Sequence, residues 1–474
     1  MRSKSFGLHI TIVFAVLVIS GAPAFCVNNS RRHPGKAKWT VMLYMNGDNS
    51  LDPYAILDFD EMARVKYDSS VNVVVQLDRK LPKNVPENDE NWSETRRFLM
   101  RNGLKATRSN SLQDFSEEAN MGDGETLASF ADWARKKFPA ERYMLIIWSH
   151  GDGWRRPITE ESFFGNPKAA AQARQLAVAE AEDLLKRGQI TDAKLASLNL
   201  ALTSVETQYR TISEDETNHS DKLYVREIQD ALEHVFGDKG GLDVIGFDAC
   251  LMQMIETAYA MRNVAGVMVG SEELEPSDGW SYESWLQALV DKPNQDGIAI
   301  SKLMVKAYEK TYQSDEPATT LSAINLANNN IDQLAEAVSL LAKDLTIRLD
   351  AELPAITEAR DNCNVFAPAR RYHGIDLHRF CSQLDRPGVS TQLRTRARKV
   401  MSLLEALVID NYAGKSRQGR FGSRGLAIYF PANKEVYELD PYRCAYRDDN
   451  EVYVVLFVKE QLWDNFLHAY FKRV

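Results

Sequence analysis

A three-layer α/β/α sandwich on a mostly parallel sheet is the α/β fold class that the sequence predicts. Two observations carry that expectation. Five near-continuous apolar runs each stop in polar residues, and stretches with helical spacing lie between them. A third observation, the more helical character of the chain after Leu286, adds an accessory helical carboxyl region.

The first run is "WTVMLYMNGDNSLD" (Trp39 to Asp52), whose apolar part stops at Asn46-Gly47-Asp48. Asn49-Ser50 then offers an N-cap for a helix. "VNVVVQLDR" (Val71 to Arg79) is the second run. The amphipathic "GETLASFADWARKKF" separates it from the third, "RYMLIIWSHG" (Arg142 to Gly151). Residues 166–221 depart from the pattern. They are rich in Ala, Gln, Lys and Glu with few large apolar residues, and predict a surface insertion that is partly helical. "GLDVIGFDAC" and "VAGVMVGSEE" are the fourth and fifth runs, with the helical "LMQMIETAYAMRN" between them. Helical spacing returns over 298–313 and 331–348, while "TTLSAINL" and "RGLAIYFP" predict strands returned to the sheet. The expected organisation is a leader over 25–37, a main domain over 38–290 and the accessory region over 291–474. In a parallel sheet, ligands bind beyond the carboxyl ends of the strands. Asp48, Asp78, His150, Asp248 and Glu272 all fall at such ends.

Bulk properties narrow the function. The 474 residues carry a net charge of -9, a poor match for nucleic acid or anionic lipid. Arg2 and Lys4, the apolar run Ile10 to Ile19 and Ala22-Pro23-Ala24 have the order of a secretory signal over 1–24, with an uncleaved anchor as the competing reading. Phe25 before Cys26 disfavours lipidation. A secreted, periplasmic or cell-surface protein is expected, with no membrane partner once the signal is removed. There is no C-x-x-C or H-E-x-x-H, so zinc signatures are absent. Five cysteines leave at least one thiol outside any intrachain disulfide.

Cys250 and His150 are the chemistry-bearing pair. Cys250 is expected at the N-terminus of a helix, where the positive end of the dipole favours thiolate. His150 precedes Gly151, whose missing side chain lets a backbone N–H approach a ligand. A cysteine peptidase needs a thiolate, an imidazole to protonate the leaving amine, and N–H donors for the oxyanion. Cys250 and His150 supply the first two, and the N–H groups of Gly151 and Cys250 the third. Asp248 reads either as a helix N-cap or as an acid in an open cleft.

The words themselves are similar to a known family. "WTVMLYMNGDNSLD", "IIWSHGDGW", "GFDACLMQMIETAY" and "VGSEELEPSDGWSYESWL", in that order, resemble the clostripain family of cysteine peptidases, within the caspase–legumain–gingipain–separase group. The resemblance implies a caspase-like sandwich and a His150–Cys250 dyad with no required third member. It implies cleavage after Arg, or Lys, with Asp248 in an acidic S1 pocket. A carboxylate there pairs bidentately with guanidinium. A second acid is placed at Asp278, which a Pro-Ser-Asp-Gly turn would project into the cleft, with Glu272 and Glu273 as the other candidates. The resemblance also implies a zymogen cut between the His and Cys motifs, where Arg155, Arg156, Lys186, Arg187, Lys194 and Arg210 stand. It admits calcium as a cofactor. Asp48, Asp52 and Asp123 are loop acids, but no EF-hand spacing assigns them. A monomer acting on peptides with a basic P1 residue is expected. A catalytically inactive binding protein of the same fold, or a transpeptidase using the same dyad, are the alternatives.

Overall fold

A computed structural model describes residues 36–81, 85–154, 212–219, 221–237, 241–314, 318–367, 373–417, 422–438, 440, 446 and 455–474. These belong to the unit Lys36–Val474; the expected signal over 1–24 and most of the expected leader over 25–37 lie outside them.

The five apolar runs form parallel strands. They are β1 (Ala37–Gly47), β2 (Val71–Arg79), β5 (Ala140–Trp148), β8 (Leu242–Asp248) and β9 (Ala265–Gly270). Between β2 and β5 lie β3 (Thr95–Leu99) and β4 (Leu112–Glu117). After β5 come β6 (Ile212–Asp215) and β7 (Asp221–Leu223), a two-stranded hairpin. The carboxyl half adds β10 (Thr320–Asn325) and β12 (Val408–Ala413) to the sheet, whose order is β12-β10-β9-β8-β5-β1-β2-β3-β4. The five central strands pair in parallel. The two strands at either edge run antiparallel to their neighbours.

The unbroken apolar character of the central strands has a plain cause: both faces are covered. Met42, Tyr44, Leu145, Ile147, Ile245 and Phe247 face one core. Their alternates Val41, Leu43, Met45, Met144, Ile146 and Val244 face the other. Helices α1 (Asp52–Arg64), α5 (Tyr282–Asp291) and α6 (Gly297–Tyr312) cover the second face through Phe59, Trp285 and Tyr308. Helices α2 (Gly124–Lys137), α3 (Val225–Phe236), α4 (Ile255–Met261) and α7 (Asn330–Asp361) cover the first through Phe130, Leu232, Ile255 and Leu341. The predicted three-layer α/β/α sandwich is therefore observed. No helix among the described residues is long and apolar enough to cross a membrane.

Three details differ from expectation. "RGLAIYFP" forms β13 (Ala427–Tyr429), which pairs with β11 (Gly374–Asp376) in a separate two-stranded sheet; the strand returned beside β10 is β12. β12 is an edge strand, mostly half-buried, so its sequence lacks an apolar run. The end of the expected surface insertion, residues 212–215, instead forms β6, with Ile212, Ser213 and Asp215 buried. Cys250 lies in a turn, and α4 begins only at Ile255, so the thiol does not stand on a helix N-terminus.

The chain leaves β1 toward β2 on one side and, through β5, toward β8 and β9 on the other. The strand order therefore reverses between β1 and β5, where an open α/β sheet forms its ligand crevice.

Candidate active site

A cleft of about 210 Å³ opens at the carboxyl ends of β1, β5 and β8, beside that reversal. The turn after β1 contributes Ser50, Leu51 and Tyr54. The end of β5 contributes Trp148, Ser149 and His150, and β8 contributes Asp248, Ala249 and Cys250. The loop after β9 closes it with Glu275, Pro276, Ser277 and Gly279. Three of the residues singled out in the sequence, His150, Asp248 and Cys250, are thus brought together. The register explains this, since Trp148 and Asp248 are direct partners across the parallel pair.

Cys250 and His150 are 9% and 7% exposed, so both reach the cleft from an otherwise buried setting. The Glu275 N–H donates to Cys250 Sγ at 3.3 Å, which stabilises negative charge on sulfur in place of the expected helix dipole. Leu251, directly after the thiol, has φ +66°, a left-handed conformation that costs a leucine about 1–2 kcal/mol. Its N–H is held by the Glu273 carbonyl at 3.1 Å. Such strain directly after Cys250 fixes the turn that presents its thiol to the cleft. Cys250, Cys363 and Cys381 form no disulfide; Cys26 and Cys444 lie outside the described residues.

Gly151 packs against the same turn. A Cβ built there would lie 2.3 Å from the Cys250 carbonyl oxygen and 2.8 Å from its nitrogen. The backbones that carry the two proposed oxyanion donors are therefore in direct contact. His150 Nε2 lies 3.1 Å from Ser50 Oγ. Ser50 does not cap a helix: Leu51 is the N-cap of α1, and Asn49 Oδ1 accepts from the Leu51 N–H.

Asp248 is not a helix cap either. It ends β8 at the base of the cleft, accepting from the Trp280 N–H (3.2 Å) and the Tyr282 hydroxyl (2.7 Å). Burial pushes its carboxyl up to about 6, against the pull of these donors and of Glu275. Burial and the charges of Asp248 and Cys250 push Glu275 well above the usual carboxylate range, and its bond to Asp248 does the same. Burial and the neighbouring Asp248 thus favour the neutral form of Glu275. Behind them, buried Asp58 accepts from Trp148 Nε1 at 2.7 Å and is raised by burial and by the charge of Asp248. A Cβ at Gly279 would lie 3.1 Å from an oxygen of each, and its φ of +59° also favours glycine.

The other candidate acids sit elsewhere. Asp278 is exposed and does not line the cleft; the Pro276–Gly279 turn leaves it outside, while Glu275 lines it. Glu272 and Glu273 turn into the carboxyl region. Glu272 accepts from the Gly425 N–H (3.0 Å), and Glu273 pairs with Arg417 and accepts from the Ala367 N–H (2.9 Å). The sequence reads Ser50 only as part of an N-cap, and it does not single out Asp58 or Glu275. Ser50 closes the first strand motif on the cleft edge, and Glu275 stands in the acidic "SEELEP"; both signals were open to a different reading. The basic residues between 155 and 210 lie outside the described residues.

Two loop acids are committed to structure. Asp52 pairs with Arg79 at 2.9 Å, and Asp123 caps α2 by accepting from the Glu125 N–H. Asp48 belongs instead to a cluster with Asp78, Glu118 and Asp215 that could hold a metal ion.

Comparison with known proteins points one way. The model of the clostripain family matches residues 43–187 and 199–470. Clostripain of Hathewaya histolytica is 24% identical over 452 residues, covering 84% of this chain and 76% of that protein. The X-ray structure of an inactive zymogen C11 protease from Parabacteroides distasonis superposes with TM-score 0.56 at 19% identity, over 88% of this chain and 97% of that one. A secreted C11 cysteine protease from Bacteroides thetaiotaomicron, bound to an irreversible peptide inhibitor, gives TM-score 0.54 at 19% identity, over 83% and 93%.

Proposed function

The chain belongs to the clostripain family and is a cysteine endopeptidase, and on that premise we propose that it hydrolyses peptide bonds after Arg or Lys through a His150–Cys250 dyad. The observation that carries this reading is the convergence of His150, Cys250 and the acids Asp248 and Glu275 on one cleft.

In the proposed reaction His150 takes the thiol proton, and Cys250 Sγ adds to the scissile carbonyl carbon. The carbonyl electrons move to oxygen, which the N–H groups of Cys250 and Gly151 stabilise. The oxyanion re-forms the carbonyl, the C–N bond breaks, and His150 gives its proton to the amine. Water, deprotonated by His150, then adds to the thioester carbon, and the C–S bond breaks to restore the thiolate. Ser50 holds the imidazole from the solvent side. The P1 side chain descends to Asp248 and Glu275. A guanidinium there pairs with the ionised Asp248 carboxylate.

The reading extends to export through residues 1–24 and to self-cleavage between His150 and Cys250, at the basic residues between 155 and 210; both of these stretches lie outside the described residues. The test compares wild type and Cys250→Ala on fluorogenic peptides ending in Arg, Lys, Asp or Leu. Arg or Lys substrates should be cleaved, with a loss of at least about 10³-fold in the variant. Preference for Asp or Leu would overturn the basic P1 reading. Silence of wild type on every peptide would bring forward the inactive binding protein.

A further inference from the structure

The loop that carries His150 leaves β5 through two glycines, Gly151 and Gly153, the second at φ +65°. A backbone of that kind does not hold an imidazole in place by itself. Trp154, the last residue of "HGDGW", supplies a fixed point and is only 4% exposed. Its ring meets Tyr429 edge to face, with 5.1 Å between centroids, and Tyr446 in a tilted contact at 4.8 Å. The two tyrosine rings lie 4.5 Å apart, so the three rings form one buried cluster. Rings in such arrangements attract one another beyond the area they bury.

The cluster is built on the chain that follows the thiol. Glu256, on α4, accepts from the Tyr429 N–H at 3.0 Å and from the Tyr446 hydroxyl at 2.7 Å, both through Oε1. The Ala427 N–H, at the start of β13, donates to the Gln253 carbonyl at 3.0 Å, and Met254 forms a bridge with Ala427. From the carboxyl region, Trp463 Nε1 donates to the Tyr429 carbonyl at 2.8 Å. Residues 253–256 therefore continue the Cys250 turn into the floor on which Trp154 rests. The two turns are joined twice: in front by Gly151 against the Cys250 backbone, and behind through Trp154.

What Trp154 contributes is its ring. Its Nε1 is buried with no hydrogen-bond partner among the described residues, an unmet donor that packing must offset. A phenylalanine would meet the same two tyrosines without leaving that donor unmet.

We propose that Trp154 is a positioning residue for His150: its contact with Tyr429 and Tyr446 fixes the far end of the loop and so holds the imidazole against the Cys250 turn. The inference rests on the His150–Cys250 dyad proposed above. Trp154 does not line the cleft, and it acts only through the residues that join it to His150.

The test uses the full chain, well below Tm, as wild type, Trp154→Ala and Trp154→Phe. It reads kcat and KM for an Arg peptide, and the rate at which iodoacetamide alkylates Cys250 across pH, followed on the Cys250 peptide by mass spectrometry. In a working dyad the imidazolium keeps the thiol reactive below its ordinary pKa of about 8.5. Trp154→Ala should lower kcat by about 100-fold with KM within about threefold. It should also move the alkylation midpoint at least about one unit toward 8.5, and Trp154→Phe should recover most of both losses. If Trp154→Ala does not fold, Trp154→Leu, which fills the cluster without a ring, should show the same midpoint shift and lose about tenfold in kcat. A folded Ala or Leu variant with the wild-type alkylation profile overturns the proposal and leaves Trp154 a role in stability alone. So does a Phe variant no better than Ala. His150→Ala separates this failure from that of the dyad: if it too keeps the wild-type alkylation profile, the dyad reading itself falls.

Discussion

Asp248 and Glu275 meet as two buried carboxyl groups, both raised by burial and Glu275 also by the charge of Asp248, and that arrangement makes the cleft sensitive to pH. Only an ionised Asp248 forms a full ion pair with guanidinium. Its carboxyl sits at about 6, held up by burial and partly restored by Tyr282, Glu275 and the Trp280 N–H. Below that pH the group is neutral, and binding a cation must first expel its proton. A small non-covalent guanidinium ligand should therefore weaken as pH falls through about 6, by roughly tenfold per unit below it. Asp248→Asn should bind the ligand weakly with a flat profile over the same range. A flat profile in wild type would remove Asp248 from the recognition of the basic side chain. Using a ligand rather than a substrate keeps the titrations of His150 and Cys250 out of the measurement.

The two turns that follow β5 and β8 act as one element, because Gly151 lies against the backbone of Cys250. Alanine at 151 would need room where the Cys250 carbonyl oxygen stands 2.3 Å away, and that neighbour is backbone, which cannot swing aside. Gly151→Ala should cost at least about 100-fold in kcat with a small change in KM, because it displaces the proposed oxyanion donors more than the proposed specificity pocket. A variant with unchanged kcat would show that neither N–H serves the reaction. The same geometry explains what was legible in the sequence. Strands buried on both faces write themselves as apolar runs, and parallel strands end together, so His150, Asp248 and Cys250 declared a common edge. Other features lacked such a signal. β3 carries "TRRFL" in an antiparallel edge pair, with Arg97 bonded to Gln76 at 2.9 Å, so its polarity conceals a buried strand. Glu275 and Asp278 are equally plausible acids in one short loop, and only the folded turn sorts them. The start of α4 was misplaced because "LMQM" has helical residues yet runs through a strained turn at Leu251.

At the scale of the whole molecule, the carboxyl region supports the loop that closes the cleft. Residues 271–280 carry Glu275 to the thiol and to Asp248. Their first residues are bound to segments far along the chain: Ser271 to Thr320 (2.9 Å), Glu272 to Gly425 and Glu273 to Arg417. Glu273 is raised by burial and brought back down by the Arg417 guanidinium. Removing that cation, as in Arg417→Met, leaves a buried carboxylate alone, at a cost of about 3 kcal/mol. The carboxyl can escape part of this cost by taking up a proton, so its folded-state pKa rises further above the unfolded value. The folded variant then binds more protons than the unfolded chain, and its stability falls as pH rises. The Tm deficit relative to wild type should accordingly be larger at about pH 8 than at about pH 5. Because the loop also seats Glu275, kcat/KM for an Arg substrate should fall about tenfold even at temperatures where the variant is fully folded. Thermal unfolding across pH, paired with kinetics well below Tm, measures both. A pH-independent deficit would mean that Glu273 keeps another cation. Unchanged kinetics would mean that the loop holds its shape without the carboxyl region, and that the two halves of the chain meet only as a matter of stability.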